Sequence, residues 1–415
     1  MKQHKISAYY LIAGLLVLIS ACRKMDDYKT KYMAGGAIVY PGKMDSVRVF
    51  SGKNRVEVMG LFTSDPKITK YRVFWNSRQD SVEVPVKRTQ GVDTAKVIIP
   101  NLPEGPMTFE IRTYDAQNHA SIPVDTAANV YGDLYQSSIS NRPIVNAEMQ
   151  SNGSALITWA DADANSGIVN MEIQYQDKFN KAHDTLITSV ATNATTSLPN
   201  FLIGSGINYR TVYLPNPTAI DKFYVAYQQH GVKADVTSLY LSNTGPYQRA
   251  TFDGRWGTLA APWVTNAAAK NKDNGQNGGY SSDAGGVINW ETWNNTPVTD
   301  GIVYQATSSP LPAGSYIVAF DEYSEIQSNS SVYCVAAAGG NGIPVLANLS
   351  SSLGYVALYN NAVVGKTSPN INDTRSFTFT LTSAQVVSIG FLANIVGNGN
   401  PGSYLQVKQI RLYKY

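Results

Sequence analysis

The chain is short of cysteine, histidine and charge, and each shortage removes a class of chemistry. It carries two cysteines, Cys22 and Cys334, and four histidines in 415 residues. Two thiols are too few for a disulfide framework or a cysteine-based metal site. His119, His183 and His230 each stand alone between polar loop residues, and no HExxH, GxSxG or phosphate loop is present. Charged residues make up 15% of the chain, against about 25% in typical soluble proteins. The 33 basic and 30 acidic side chains nearly cancel, and no basic run exists to hold a nucleic acid. The apolar run from Tyr9 to Ile19 is far below the ~20 residues an ordinary spanning helix needs.

What the chain does have begins with that run. A charged head (Lys2, Lys5) precedes it and Ile19-Ser20-Ala21-Cys22 follows it, an arrangement that suits a signal-peptide core. The small residues directly before a cysteine resemble the lipobox of bacterial lipoproteins. The resemblance implies cleavage before Cys22, acylation of its thiol and of the new amino group, and a lipid anchor in which each buried methylene adds about 0.8 kcal/mol. Residues 1–21 then form the signal peptide and 22–35 a polar tether. Asp26-Asp27 in that tether resembles the export signal of Bacteroidetes-type lipoproteins, which implies the outer membrane with the protein facing outward. Without Lys2 and Lys5, 31 basic side chains face 30 acidic ones. Cys334, then the one free thiol, reads as a small core residue.

Polarity comes from Asn, Ser, Thr and Gly, and the 26 tyrosines suit half-buried strands. The roughly 390 residues after the signal imply two to four domains. A repeat with a period near 100 runs through the first of them. Arg55–Met59 aligns with Ala155–Trp159, and Lys70–Trp75 with Asn170–Tyr175, all with period-2 alternation. Phe109–Tyr114 is matched with Phe223–Tyr227, and Asn101-Leu-Pro-Glu-Gly105 reads as a turn between late strands. Short strands with turn signals every 8–12 residues are a sandwich signature. The expected fold is all-β, with two tandem fibronectin/Ig-like sandwiches at 36–130 and 143–243. Tyr209-Arg-Thr-Val-Tyr-Leu-Pro215 followed by Ala219-Ile-Asp-Lys-Phe223 resembles a family of gut-type Bacteroidetes lipoproteins whose N-terminal region is a domain of unknown function. That resemblance covers about residues 15–245 and implies a surface lipoprotein of the kind found in glycan-uptake systems.

From Tyr247 the composition shifts toward Gly, Asn and Trp, and four of six tryptophans fall between Trp256 and Trp293. Leu311-Pro-Ala-Gly-Ser-Tyr316 and the alternating strands at 375–381, 386–391 and 405–413 resemble a galactose-binding-like jelly roll over 248–415. Such folds bind ligands through loops at one end, although fold alone does not establish function.

Sugar binding needs flat aromatic faces and nearby amides or carboxylates. Residues 271–296 offer Asn274, Asn277, Tyr280, Asp283, Trp290, Trp293, Asn294 and Asn295. The candidate ligand residues are Trp290, Trp293, Asn294, Tyr280 and Asn277. Trp290 and Trp293, three apart, cannot both face one side of a strand, and at least one is expected in the core. Trp256 is expected in the core, Glu291 as a solvent-facing strand residue, and Asp321-Glu322-Tyr323 as a solvated strand end. Asp161-x-Asp163-x-Asn165…Glu172 imitates a calcium loop, but its glycine is one place late, at Gly167. No cofactor is expected, and structural calcium has no support. The residues together suggest a non-catalytic surface protein that binds oligo- or polysaccharide, held to the membrane by Cys22 and working beside an outer-membrane glycan transporter. The alternatives are an adhesion or structural surface protein and, more remotely, a hydrolase with paired carboxylates.

Overall fold

The computed structural model describes residues 40–163, 165–188, 191, 194–293, 296–360, 371–397 and 402–415. Cys22, Asp26, Asp27 and Asn294 lie outside these described residues. Two compact units are present. One runs to Ile139 and includes Tyr213–Phe223; the other comprises Ser140–Val212 and Tyr224–Tyr415. No helix among the described residues is long and apolar enough to cross a membrane.

The first unit is a seven-stranded sandwich of β1 (Asp45–Ser51), β2 (Arg55–Phe62), β3 (Lys70–Trp75), β4 (Asp80–Pro85), β5 (Asp93–Pro100), β6 (Gly105–Tyr114) and β7 (Val124–Val130). The sheets are β1-β2-β5 and β4-β3-β6-β7, the strand order of a fibronectin type III module. Alternation in β2 sends Val56, Val58 and Phe62 inward, against Tyr71 and Val73 from β3 and Phe109 and Ile111 from β6. The expected turn at Asn101–Gly105 also has a capping role. Both carboxylate oxygens of Glu104 accept backbone N–H bonds, from Leu134 (2.6 Å) and Tyr135 (2.7 Å), in the first turn of the short helix Asp133–Ser138. The Ala-Ile-Asp-Lys-Phe stretch forms part of this unit. Asp221 accepts bonds from Arg55 at 2.6 and 2.8 Å and from the Lys53 N–H at 2.8 Å. Phe223, buried, sits edge-on to Tyr131 and Tyr135.

The second unit contains two sandwiches. Its first has β8 (Ile144–Met149), β9 (Ala155–Trp159), β10 (Ile168–Gln176), β11 (Ala182–Ile187), β12 (Thr195–Leu198), β13 (Ile207–Tyr213) up to Val212, β14 (Phe223–Tyr224) from Tyr224 and β15 (Gln228–His230). Sheet orders β12-β9-β8 and β11-β10-β13, with β15 on β13, repeat the first module. Trp159 fills the core and donates through Nε1 to Thr196 Oγ1 at 2.9 Å. The repeat aligns β2 with β9 and β3 with β10 as expected. Its third match needs correction: the counterpart of β6 is β13, which lies beside β10 as β6 lies beside β3, whereas Phe223–Tyr227 holds only the two-residue β14. The calcium-like spacing does not converge. Asp163 Oδ1 accepts the Asn165 N–H at 2.8 Å, and Glu172 pairs with Arg210 at 2.7 Å.

The chain then passes through β16 (Ala234–Asp235) into β17 (Arg249–Asp253), β18 (Trp256–Leu259), β19 (Val264–Thr265), β20 (Gly279–Ser281), β21 (Val287–Glu291), β22 (Val298–Ala306), β23 (Gly314–Glu325), β24 (Ser331–Ala338), β25 (Gly354–Asn360), β26 (Ile371–Leu381), β27 (Val387–Ile395) and β28 (Tyr404–Lys414). Eight of these strands divide between two sheets in the orders β21-β28-β23-β26 and β22-β27-β24-β25, switching sheet at every connection except the β24–β25 hairpin. That is jelly-roll winding, with β17, β18 and β20 widening the first sheet. The Leu-Pro-Ala-Gly-Ser-Tyr turn works as read: Gly314 takes φ +139°, and the buried Tyr316 hydroxyl donates back to the Pro312 carbonyl at 2.7 Å. Cys334 is fully buried on β24.

The link into this sandwich is hydrogen-bonded on both sides. Lys233 exchanges backbone bonds with Ala147 and Met149, while Ala234 and Asp235 pair with Lys414 and Tyr413 of β28. Asp321–Tyr323 is not a solvated strand end but lies within β23, and Glu322 points into the sandwich with 0% exposure.

Candidate functional site

Alternation along β21 decides which side chains meet solvent chemistry. Ile288 and Trp290 enter the core, so Asn289 and Glu291 face the other way; Trp256, opposite Ser281 on β20, lies on that same outer face. There an open cleft of about 950 Å³ forms over the sheet, lined by Arg255, Trp256, Asn271, Lys272, Glu291 and Trp293 among others.

Local sequence explains each wall. Gly254, with φ +60°, and Arg255 form a two-residue turn between β17 and β18, since Asp253 pairs with Trp256. This puts Arg255 at the hairpin corner. Its guanidinium lies 4.3 Å from the Trp256 ring centroid and bridges two carboxylates, Asp283 Oδ2 and Glu291 Oε1, each at 2.6 Å. The opposite wall is a tight loop. Asp273 and Asn274 adopt left-handed φ of 51° and 54°, and the Lys272 N–H reaches the Asn277 carbonyl at 2.8 Å. Asn271 fastens the loop by donating from Nδ2 to the carbonyls of Glu291 (2.8 Å) and Thr296 (3.2 Å).

Trp293 is held from below. The preceding Thr292 exchanges two bonds with Ser403, N–H to carbonyl at 3.0 Å and Oγ1 from N–H at 3.1 Å. The indole rests on Gly402, where an added Cβ would stand 2.8 Å from the ring. Trp293 as a whole remains 39% exposed.

Charge in the cleft is unevenly compensated. Burial pushes the Glu291 carboxyl above its ordinary value, and Arg255 and Lys272 pull it back. Asp283 is held below its ordinary value by its hydrogen bonds from Arg255. Desolvation lowers the Lys272 ammonium, whose Nζ sits 4.7 Å from the Trp256 centroid.

The candidate ligand residues therefore divide. Trp293 lines the cleft. Trp290 does not: it is 1% exposed, and its Nε1 donates to the Ala269 carbonyl at 3.2 Å. Tyr280 is buried in the same core. Asn277 is buried, and its amide holds Asp273 Oδ2 at 2.9 Å, which is a loop-bracing role. Two further expectations are reversed. Trp256 is half-buried at the cleft wall, not in the core, and Glu291 is buried under the 271–275 loop, not solvent-facing. The Asp-Gly turn signal before Trp256 could have located that ring on a hairpin. Nothing local marks Lys272 or Asn271, which reach the cleft only through the loop's closure.

A second cluster lies on the outer face of the β11-β10-β13 sheet. Arg210 packs against Tyr224 and Tyr227 at 4.5 and 4.6 Å from their centroids, and Glu172 accepts from Arg210 and from the Tyr227 hydroxyl. Among the described residues no group of three or more His, Cys, Asp or Glu is placed to hold a metal ion.

No curated protein matches the chain. Among solved structures it is similar to a two-domain fibronectin type III segment of chicken tenascin, with 14% identity, 46% of this chain and 100% of that one covered, and a TM-score of 0.20. It is similar also to the K3 cleaved adhesin domain of Lys-gingipain from Porphyromonas gingivalis w83, with 12% identity, 37% and 92% covered, and a TM-score of 0.24. A third is the FN1–FN3 segment of chicken CNTN1, with 11% identity, 47% and 64% covered, and a TM-score of 0.25. At such scores these likenesses add nothing to what strand order already establishes. Two family models match: DUF4998, a domain of unknown function, over residues 22–223, and DUF5013, also a domain of unknown function, over residues 242–390.

Proposed function

We infer that this chain is a lipid-anchored surface protein that binds glycans without cleaving them, through the cleft of its C-terminal jelly roll. The observation that carries the reading is the exposed Trp293 ring beside a half-buried Trp256, with amide, ammonium and carboxylate groups in the same cleft. A pyranose presents C–H faces to aromatic rings and hydroxyls to such polar groups. Arg255 bridges Glu291, which ties the buried carboxylate into the cleft wall and favours a binding role for it over that of a free acid. The Cys22 lipid and the Asp26-Asp27 signal would hold the protein outward on the outer membrane, where it would hand captured oligosaccharide to a porin-type transporter or glycosidase.

Affinity electrophoresis against a polysaccharide panel tests this. Trp293→Ala should weaken retention at least tenfold while the melting temperature moves by no more than 2 °C. No retention of any polymer by the native chain would sink the reading, and reducing-sugar release would replace it with hydrolysis. An adhesion role is favoured by one other observation, the Tyr224–Arg210–Tyr227 cluster with its two part-exposed rings, because Tyr and Arg are enriched in protein interfaces.

A further inference from the structure

Four charged side chains line the cleft, and three of them have partners. Arg255 is held by Asp283 and Glu291, Glu291 by Arg255, and Asp273 by the Asn277 amide. Lys272 has no close one: among the described residues it makes no ion pair within 4 Å and no hydrogen bond, and only the Trp256 face and the longer-range fields of Glu291 and Asp273 meet its charge. It is nonetheless only part-exposed, with Trp256 beside it, so water compensates the charge incompletely.

Resting on the glycan-binding reading, we propose that the cleft takes an acidic glycan, with Lys272 receiving the anionic group of a sugar while Trp293 carries the ring face. The anionic group is a uronic-acid carboxylate or a sulfate ester, since an ammonium is a compact point charge that either satisfies. A bound anion would give Lys272 the close ion pair it does not make within the protein. Non-specific attraction is a weak competitor, because the whole chain carries a formal charge of only +3.

The test uses the full chain and matched polymer pairs. Polygalacturonate, alginate and hyaluronan are each run against their carboxyl-reduced forms, and dextran sulfate against dextran. The expected result is retention by at least one acidic polymer, tenfold or more tighter than by its neutral partner. That preference should be lost in Lys272→Met and largely kept in Lys272→Arg, with all three proteins melting alike. Preference for the carboxylate or the sulfate arm assigns the group. Equal retention of acidic and neutral partners, or an acidic preference that survives in Lys272→Met, overturns the inference and leaves glycan binding standing. Retention of no polymer overturns both.

Discussion

Glu322 shows how a side chain's direction outweighs its chemistry. It follows Phe320 on the inward face of β23, so the strand carries a carboxylate into the core. Arg375 Nε comes to 2.7 Å of its Oε1, but both carboxylate oxygens lack a well-aligned hydrogen bond. Desolvation, opposed by Arg375, lifts the carboxyl from 4.5 to about 7. The folded protein then holds this proton more tightly than the unfolded chain, so stability is greatest below pH 4.5 for this group and falls as pH rises to 7. The loss is on the order of 3 kcal/mol at 1.36 kcal/mol per pH unit. Glu322→Gln should flatten the pH dependence of melting between pH 4.5 and 7 relative to the native chain; parallel curves for the two proteins would refute it. Sequence could not show this, because an Asp-Glu pair after an apolar run looks like a strand leaving the core. The same limit applied to Trp290 and Trp293. Their spacing showed that they divide between environments, and only the end of β21 at Glu291 decides which is which.

At the scale of elements, patterning was largely legible where strands are long and alternate. β2, β3, β9 and β10 lie where period-2 burial placed them. The pattern failed at Phe223–Tyr227, where apolar residues alternate but serve different masters: Phe223 packs on Tyr131 and Tyr135, and Tyr227 lies on Arg210. Loops were the least legible elements, since the cleft wall depends on left-handed residues and backbone bonds that no periodicity encodes. The Gly402–Trp293 contact gives an element-level prediction. Gly402→Ala should push the indole off its seat, the new methyl otherwise standing 2.8 Å from the ring. It should weaken glycan retention about as much as Trp293→Ala, with Trp290 fluorescence still that of a buried indole. Unchanged retention would show that the ring's position does not matter.

At the scale of the whole chain, the order of modules was legible because composition changes near Tyr247. The hydrogen-bonded passage between the second sandwich and the jelly roll was not, since Ala234-Asp235 is too short to read as a strand without its partner β28. β28 lies between β21 and β23 and also receives β16. Trp290 faces Leu405 across the first of these pairings, a contact closed over more than a hundred residues of intervening chain. Long-range pairings of this kind set slow folding, so refolding of the second unit should end in a phase in which Trp290 fluorescence reaches its native value. Ser403 and Gly402 arrive with β28 and support Thr292 and Trp293. Ligand affinity should therefore appear in that same final phase and in no earlier one, which a stopped-flow experiment with a labelled glycan would follow. The cleft would then act as a completion signal: a chain that had not yet closed its last strand would present no seat for a ligand, and premature capture would be avoided by topology alone.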